Sequence, residues 1–360
     1  MPISFQKIES CPDSQPFAEC HGIDLSLPVS SADLSEIKAG LMKHGLLVFP
    51  KQKSMQPRDE VRFNEAFGWH DKTQKEFLFG FGAPSSEHKV SGGAQIPEHP
   101  QVSVLGNVFL ENYHGITNTQ LVPVLGLSYS GWHADGLHDM FDGMPELTTM
   151  YKPTGWQTQH GGKTLFTSGV AAVESMNPEL LSELEQCTVG YVRCPNDDAT
   201  DESRRVVPGP VFMDSEGTRR VGFAVDANDP VKGFHDFQIE LQHADGGGRH
   251  RCIRTHPVTG QRSLYLSPSR SVCLFDLATG AVRHDVETTV SMLCEALYPG
   301  VTKDVRYEHA WEEGDFVAWS NTLVLHSASD ASGIVGDRLI HRVRLSTPKT
   351  RWINGRYTSD

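Results

Sequence analysis

The chain has 360 residues, 38% of them hydrophobic and 21% charged, which is enough apolar material for the core of one large domain or two ordinary ones. Its formal net charge of -13 leaves no basic footprint and argues against nucleic acid as a partner. No apolar leader core or membrane-length apolar run is visible, and seven cysteines without CxxC spacing suit reduced thiols, so a cytoplasmic protein with no membrane partner is expected.

Residues 17–25 read as a strand running into a turn. Asp33-Leu34-Ser35-Glu36 has the form of a capping box, with Leu34, Ile37 and Leu41 at helical spacing and Gly45 as the stop. Leu46-Leu47-Val48-Phe49 reads as a buried strand ended by Pro50, and a second helix is expected over 58–67, closed by Gly68. The Gly-, Ser- and Pro-rich stretch to about residue 98 reads as a long loop of the kind that is functional or mobile. From Gln101 the texture is that of strands: 102–105 alternates, 121–129 is apolar and extended, and 147–151 and 161–166 follow. Helical patterns over 170–176 and 178–184 precede a polar stretch, 194–250, broken by Pro208, Pro210 and Gly246-Gly247-Gly248, which reads as an insertion or lid. Strand signals return at 263–266, a helix carries Val286, Val290, Leu293 and Leu297 on one face, and closing strands are expected at 315–319 and 338–345. Strands dominate with helices beside them, so the expected fold class is mainly β with flanking helices, a β-sandwich or jelly roll forming one catalytic domain over 1–360.

The chemistry centres on Gly131-Trp132-His133-Ala134-Asp135-Gly136. On a strand, positions i and i+2 share a face, so His133 and Asp135 could reach one metal ion. Two histidines and a carboxylate make the facial triad of non-haem Fe(II) oxygenases, which leaves positions open for oxygen and a co-substrate. The bland alternative is a polar pair on a half-exposed strand, and His243-Ala244-Asp245 repeats the tripeptide in the polar stretch, where it is expected to be solvated. His326 closes the apolar run Leu323-Val324-Leu325 and could supply the second imidazole or be a hydrogen-bonded core residue. In the strand read over 338–345, Arg338, Arg342 and Arg344 share one face and Leu339, Val343 and Leu345 the other. Three guanidiniums on one face need either solvent or a cavity that receives anions.

These residues sit in a series of longer matches: FAECHGIDLS, HGLLVFPKQ, GWHADG, GGKTLFTSGVAAVESM, THPVTGQRSLYLSPSR, and GDFVAWSNTLVLHSASD with GDRLIHRVRLS. In that order, over nearly the whole chain, they resemble the Fe(II)/2-oxoglutarate dioxygenases of the taurine and 2,4-dichlorophenoxyacetate dioxygenase (TauD/TfdA) family. The resemblance implies a double-stranded β-helix core, Fe(II) as metal, 2-oxoglutarate and O2 as co-substrates, and a small-molecule substrate. It implies that His133, Asp135 and His326 are the iron ligands, that Thr164 and Arg338 hold the distal carboxylate of 2-oxoglutarate, and that Arg342 meets an anionic group of the substrate. The length between Asp135 and His326, with IPEHPQVSVLGNVF and AWEEGDFVAWSNTLVLHS, is similar to the fungal xanthine dioxygenase branch. There Gln101 matches a glutamine near the site, whereas Arg342 and Arg344 stand where amide residues are expected and a lysine expected near Leu121 is missing. Hydroxylation of a carboxylate, amino acid or sulfonate is therefore expected ahead of xanthine. His70 is a further, weaker candidate beside the substrate. A zinc hydrolase with the same ligands and a non-catalytic jelly-roll binding module are the competing classes; the first leaves Thr164 and Arg338 unexplained, and the second needs no carboxylate among its His residues. A homo-oligomer is compatible with this composition.

Overall fold

The computed structural model describes residues 2–67, 89–91, 94–122, 132–135, 145–191, 207–213, 219–224, 248–256, 258–268, 271–329, 333–346, 352–353 and 356–357. Gly131 and Gly136 of the metal motif, His70, and the repeated tripeptide His243-Ala244-Asp245 lie outside the described residues. So do Gly68 and most of the strand expected over 121–129.

Eleven strands position the site: β1 (Ser4–Lys7), β2 (Ala18–His21), β3 (Leu46–Phe49), β4 (Ala94–Ile96), β5 (His99–Gly106), β6 (Pro145–Tyr151), β7 (Thr164–Ser168), β8 (Tyr307–His309), β9 (Phe316–Ser320), β10 (Val324–Ala328) and β11 (Leu339–Ser346). Eight of them form one sheet in the order β1-β2-β3-β9-β6-β11-β5-β4, and β8-β7-β10 form a smaller one. Within the large sheet β2 and β3 are parallel, and the other neighbours are antiparallel.

Alternation along each strand sorts side chains into layers. Leu46, Val48, Met150, Val317, Trp319 and Ile340 of the large sheet meet Phe166, Tyr307 and Val324 of the small one. This inter-sheet layer is where the site lies. On the other side of the large sheet, Leu47, Phe49, Tyr151, Phe316 and Leu345 pack under helices α1 (Ser31–His44) and α2 (Pro57–Ala66) through Ile37, Leu41 and Phe63. The outer side of the small sheet, Leu165 and Leu325, is covered by α3 (Gly169–Glu174), α4 (Pro178–Glu185) and α5 (Val286–Val301) through Ala172, Leu184, Leu293 and Leu297. No helix among the described residues is long and apolar enough to cross a membrane.

Several expectations shift. Helix α1 is capped by Ser30, whose side chain accepts from the Asp33 N–H, so Asp33 lies in the first turn rather than at the cap. Gly45 ends that helix at φ 71° with its N–H on the Leu41 carbonyl, as its lack of a Cβ allows. The stretch before residue 98 is not wholly loop, because Ala94–Ile96 forms an edge strand. Nor is 194–250 simply irregular: Val207–Met213 pairs with Arg219–Ala224, and Gly248–Arg251 pairs with the strand Cys187–Tyr191.

Candidate active site

His326 sits in the middle of β10 rather than at its end, opposite Phe166 of β7. Among the described residues 132–135, His133 lies in no strand. It is held to β10 by one antiparallel bridge, in which His133 N–H donates to the His326 carbonyl at 3.0 Å and His326 N–H to the His133 carbonyl at 2.9 Å. This bridge brings the two imidazoles together, with ring centroids 4.3 Å apart. Asp135 Oδ1 lies 3.8 Å from His133 Nε2 and 3.9 Å from His326 Nε2. The three ligand atoms are all within 4.8 Å of one another. The gaps to the carboxylate are too wide for hydrogen bonds but below about twice a metal–ligand bond of roughly 2.1 Å. The donor set therefore fits an ion.

The carboxylate is fixed from behind. Thr148 Oγ1 on β6 donates to Asp135 Oδ2 at 2.7 Å and accepts from Asn321 Nδ2 at 2.7 Å. Asn321 Oδ1 in turn accepts from the Asp135 N–H at 3.3 Å and from Trp319 Nε1 at 3.1 Å. Burial by itself pushes the Asp135 carboxyl up, but His326, Arg344, Arg342 and His133 together overrule it and hold it well below the usual carboxylate range. Burial, helped by His133, pushes the His326 imidazole down to about 3 against the pull of Asp135. The buried pair is thus an ionised carboxylate beside a neutral imidazole, the protonation states that a metal requires.

Thr164 begins β7 on the same face as Phe166, and its Oγ1 accepts from Trp311 Nε1 at 2.9 Å. Arg338 enters just before β11. Its backbone N–H donates to Asn107 Oδ1 at 2.7 Å, and its Nε donates to the Gly162 carbonyl at 2.9 Å. Gly162 has φ 66°, and a Cβ there would lie 2.7 Å from Arg338 Cδ, so the glycine both makes the turn and leaves room for the guanidinium. Burial pushes the Arg338 guanidinium down to about 10, and among the described residues no carboxylate forms an ion pair with it.

Arg342 lies between Met150 of β6 and Ser103 of β5, and Arg344 is opposite Thr148. Both arginines are therefore on the face of the large sheet that carries Thr148 and Ile340, and both act on the Asp135 charge. That face carries Met150 and Ile340 of the inter-sheet layer and the two arginines are half-buried, so it is not the fully solvated edge that was one of the two alternatives. Gln101 and Arg344 line one small cavity with Val61, Asn64 and Glu65 of α2. Of the supporting residues, Asn107, Trp311 and Asn321 lie inside matched stretches that gave them no role, and Thr148 lies in none. The only sequence signals for them were a polar pair, Thr148-Thr149, inside an apolar strand and the Trp319-Ser320-Asn321 run before β10.

Two imidazoles and a carboxylate, brought together between two sheets, are the donor set of the non-haem Fe(II) oxygenases. The chain belongs to the taurine catabolism dioxygenase TauD, TfdA family, whose model matches residues 9–344. An alpha-ketoglutarate-dependent xanthine dioxygenase of Neurospora crassa is 25% identical over 357 residues, covering 87% of this chain and 79% of the relative. Pentalenolactone F synthase of Streptomyces arenae is 24% identical, covering 86% of this chain and 85% of the relative. A solved structure of a taurine dioxygenase from Burkholderia xenovorans aligns over 99% of this chain and 94% of its own, with a TM-score of 0.60 at 18% identity. AAD-2 in complex with Mn(II) and N-oxalylglycine aligns over 97% and 99%, with a TM-score of 0.57 at 16% identity. The protein is accordingly an oxidoreductase of the alpha-ketoglutarate-dependent dioxygenases, which use Fe(II), 2-oxoglutarate and O2. Its fold, mostly strands with few helices, is that of its structural neighbours.

Proposed function

We propose that this dioxygenase hydroxylates a C–H bond of a small anionic substrate, a carboxylate, amino acid or sulfonate, and releases succinate and CO2. In this reading the two sheets are the halves of a double-stranded β-helix in one catalytic domain, with the 194–250 stretch as an insertion. His133, Asp135 and His326 hold the iron, Thr164 and Arg338 hold 2-oxoglutarate, and Arg342, Arg344 and Gln101 receive the substrate. The observation that supports this most is the half-buried Arg338 guanidinium, held by the Gly162 carbonyl and without a carboxylate partner among the described residues, in the protein that brings the three ligands together. A guanidinium that has lost part of its hydration gains when an anion meets its planar fork, and a carboxylate meets it with two parallel hydrogen bonds.

Fe(II) bound with 2-oxoglutarate supplies oxygen activation, coupling loss of CO2 to oxidation of the substrate. The chain's own groups do the rest. The Thr148 hydroxyl keeps one oxygen of Asp135 occupied, so that only Oδ1 faces the two imidazoles. Gly162 and Asn107 fix the direction of Arg338, and Trp311 fixes the Thr164 hydroxyl. Arg342 and Arg344 give the interior a positive potential that draws in an anionic substrate and orients its far end.

The test is spectroscopic and then chemical. Anaerobic Fe(II) plus 2-oxoglutarate should give a weak visible charge-transfer band. Admitting oxygen with the right member of a panel of amino acids, sulfonates, aryloxy acids and xanthine should yield succinate. Arg338→Ala should weaken 2-oxoglutarate binding about tenfold or more while leaving metal binding within a few-fold. Succinate with xanthine alone overturns the anionic-substrate reading. Absence of both band and succinate overturns the proposal as a whole.

A further inference from the structure

Lys152 follows β6 by one residue and, by alternation, falls on the interior face with Thr148 and Met150. It is 3% exposed. Its ammonium donates to the Trp311 carbonyl at 3.2 Å and to Thr158 Oγ1 at 3.4 Å, which places two of its three protons. The acidic residues of the neighbouring turn are engaged elsewhere: Glu313 accepts from the Gly155 N–H and Asp315 from the Glu312 N–H. Among the described residues no carboxylate forms an ion pair with Lys152.

A second cation, the half-buried Arg338, is linked to it through one residue. Thr158 Oγ1, which accepts from Lys152, donates in turn to the carbonyl of Asp337 at 3.1 Å, one residue before Arg338. Burial and then the Arg338 charge lower the proton affinity of Lys152, against the pull of Glu313, Asp315 and Glu312. Trp311 joins the pair to Thr164, since its carbonyl takes the Lys152 proton while its indole N–H holds the Thr164 hydroxyl. Two like charges that repel each other where part of their hydration is lost are stabilised when an anion joins them. A dicarboxylate with its far end at Arg338 is such an anion.

We propose that Lys152 is a second cation of the co-substrate site, directing its remaining N–H to the distal carboxylate of 2-oxoglutarate beside Arg338 and Thr164. This rests on the 2-oxoglutarate reading of Arg338 and Thr164. Recognition by two cations would set the preference for a keto acid that carries the distal carboxylate over one that lacks it.

The test pairs removal of the ammonium with removal of the carboxylate it would meet. Fe(II)-loaded wild type, Lys152→Met and Lys152→Arg are titrated anaerobically with 2-oxoglutarate and with 2-oxopentanoate, which keeps the chelating end and lacks the distal carboxylate. The charge-transfer band reports binding, and Fe(II) affinity is measured separately. In Lys152→Met, 2-oxoglutarate should bind roughly tenfold or more weakly while 2-oxopentanoate changes less than twofold; Lys152→Arg should recover most of the loss. Equal weakening of both keto acids would mean that Lys152 only supports Trp311, and the inference falls. Unchanged 2-oxoglutarate affinity in Lys152→Met also overturns it. If wild type itself gives no band with 2-oxoglutarate, the underlying reading fails first, and that result is distinct from a failure confined to the variant.

Discussion

Replacing Thr148 by Val isolates the way the chain holds Asp135. The side chain is fully buried, and its hydroxyl makes two short hydrogen bonds, to Asp135 Oδ2 and from Asn321 Nδ2, each 2.7 Å long. Val keeps the shape and removes the hydroxyl. The lost bond to the ionised carboxylate is worth about 1.5–3 kcal/mol, and stranding the buried Asn321 donor costs about 1–3 kcal/mol. The two belong to one network and do not add fully, so the expected loss of unfolding free energy is about 2–4 kcal/mol. With Oδ2 released, the carboxylate can rotate away from the imidazoles, and metal affinity should fall about 10–100-fold. Guanidinium unfolding without metal measures the first quantity, and anaerobic calorimetry with Fe(II) or Mn(II) measures the second. Thr148→Ser, which keeps the hydroxyl, should stay within a few-fold of wild type in metal affinity. A Val variant that loses stability but binds metal within twofold of wild type would refute the reasoning, since Thr148 would then serve packing alone.

Two other perturbations address separate parts of the molecule. Gly162→Ala puts a Cβ 2.7 Å from Arg338 Cδ at a residue with φ 66°, so 2-oxoglutarate should bind about tenfold or more weakly with metal affinity kept; an unchanged charge-transfer titration would contradict the placement of Arg338. Glu183 accepts from Arg283 at 2.6 and 2.7 Å and pairs with His284 at 2.7 Å, and Arg283 first, then His284, hold its carboxyl down at about 2. A carboxylate lowered in the folded state stabilises above its unfolded value of roughly 4.3, and the gain is lost as pH falls towards 2. Glu183→Gln should therefore be about 1–2 kcal/mol less stable near neutrality, with a deficit that shrinks between those two values. A deficit that stays constant through that window would count against the ion pair.

The residues show where sequence reasoning ended. The types and spacing of His133 and Asp135 pointed to a metal, but through the premise of a strand. The structure instead has one bridge to His326, whose paired hydrogen bonds supply the alignment that a strand would have given. The alternation in Leu339–Ser346 was legible as an amphipathic strand. The destination of its arginine face was not, because a strand facing solvent and one facing a polar interior have the same pattern. The helix cap moved from Asp33 to Ser30 because either residue can accept from an N–H three positions on, and only the backbone geometry selects between them. Lys152 lies in no matched stretch, and Trp311 lies in one that gave it no role, because the Trp311 contacts that matter, to Lys152 and Thr164, span 159 and 147 residues of chain.

What the sequence determined by itself is local: which donors are present, which of them share a strand face, and where glycines such as Gly45 and Gly162 free the backbone. Covalent spacing and φ/ψ preference set these, and both act over a few residues. What only the tertiary structure decided is convergence and environment. Sheet register set Arg344 beside Thr148 from far along the chain, and packing of the His133 segment against the small sheet brought Asp135 onto the Thr148 hydroxyl. The layers on either side of the inter-sheet space then set how dry it is, and so which groups keep their charge. Asp135 stays ionised and His326 stays neutral.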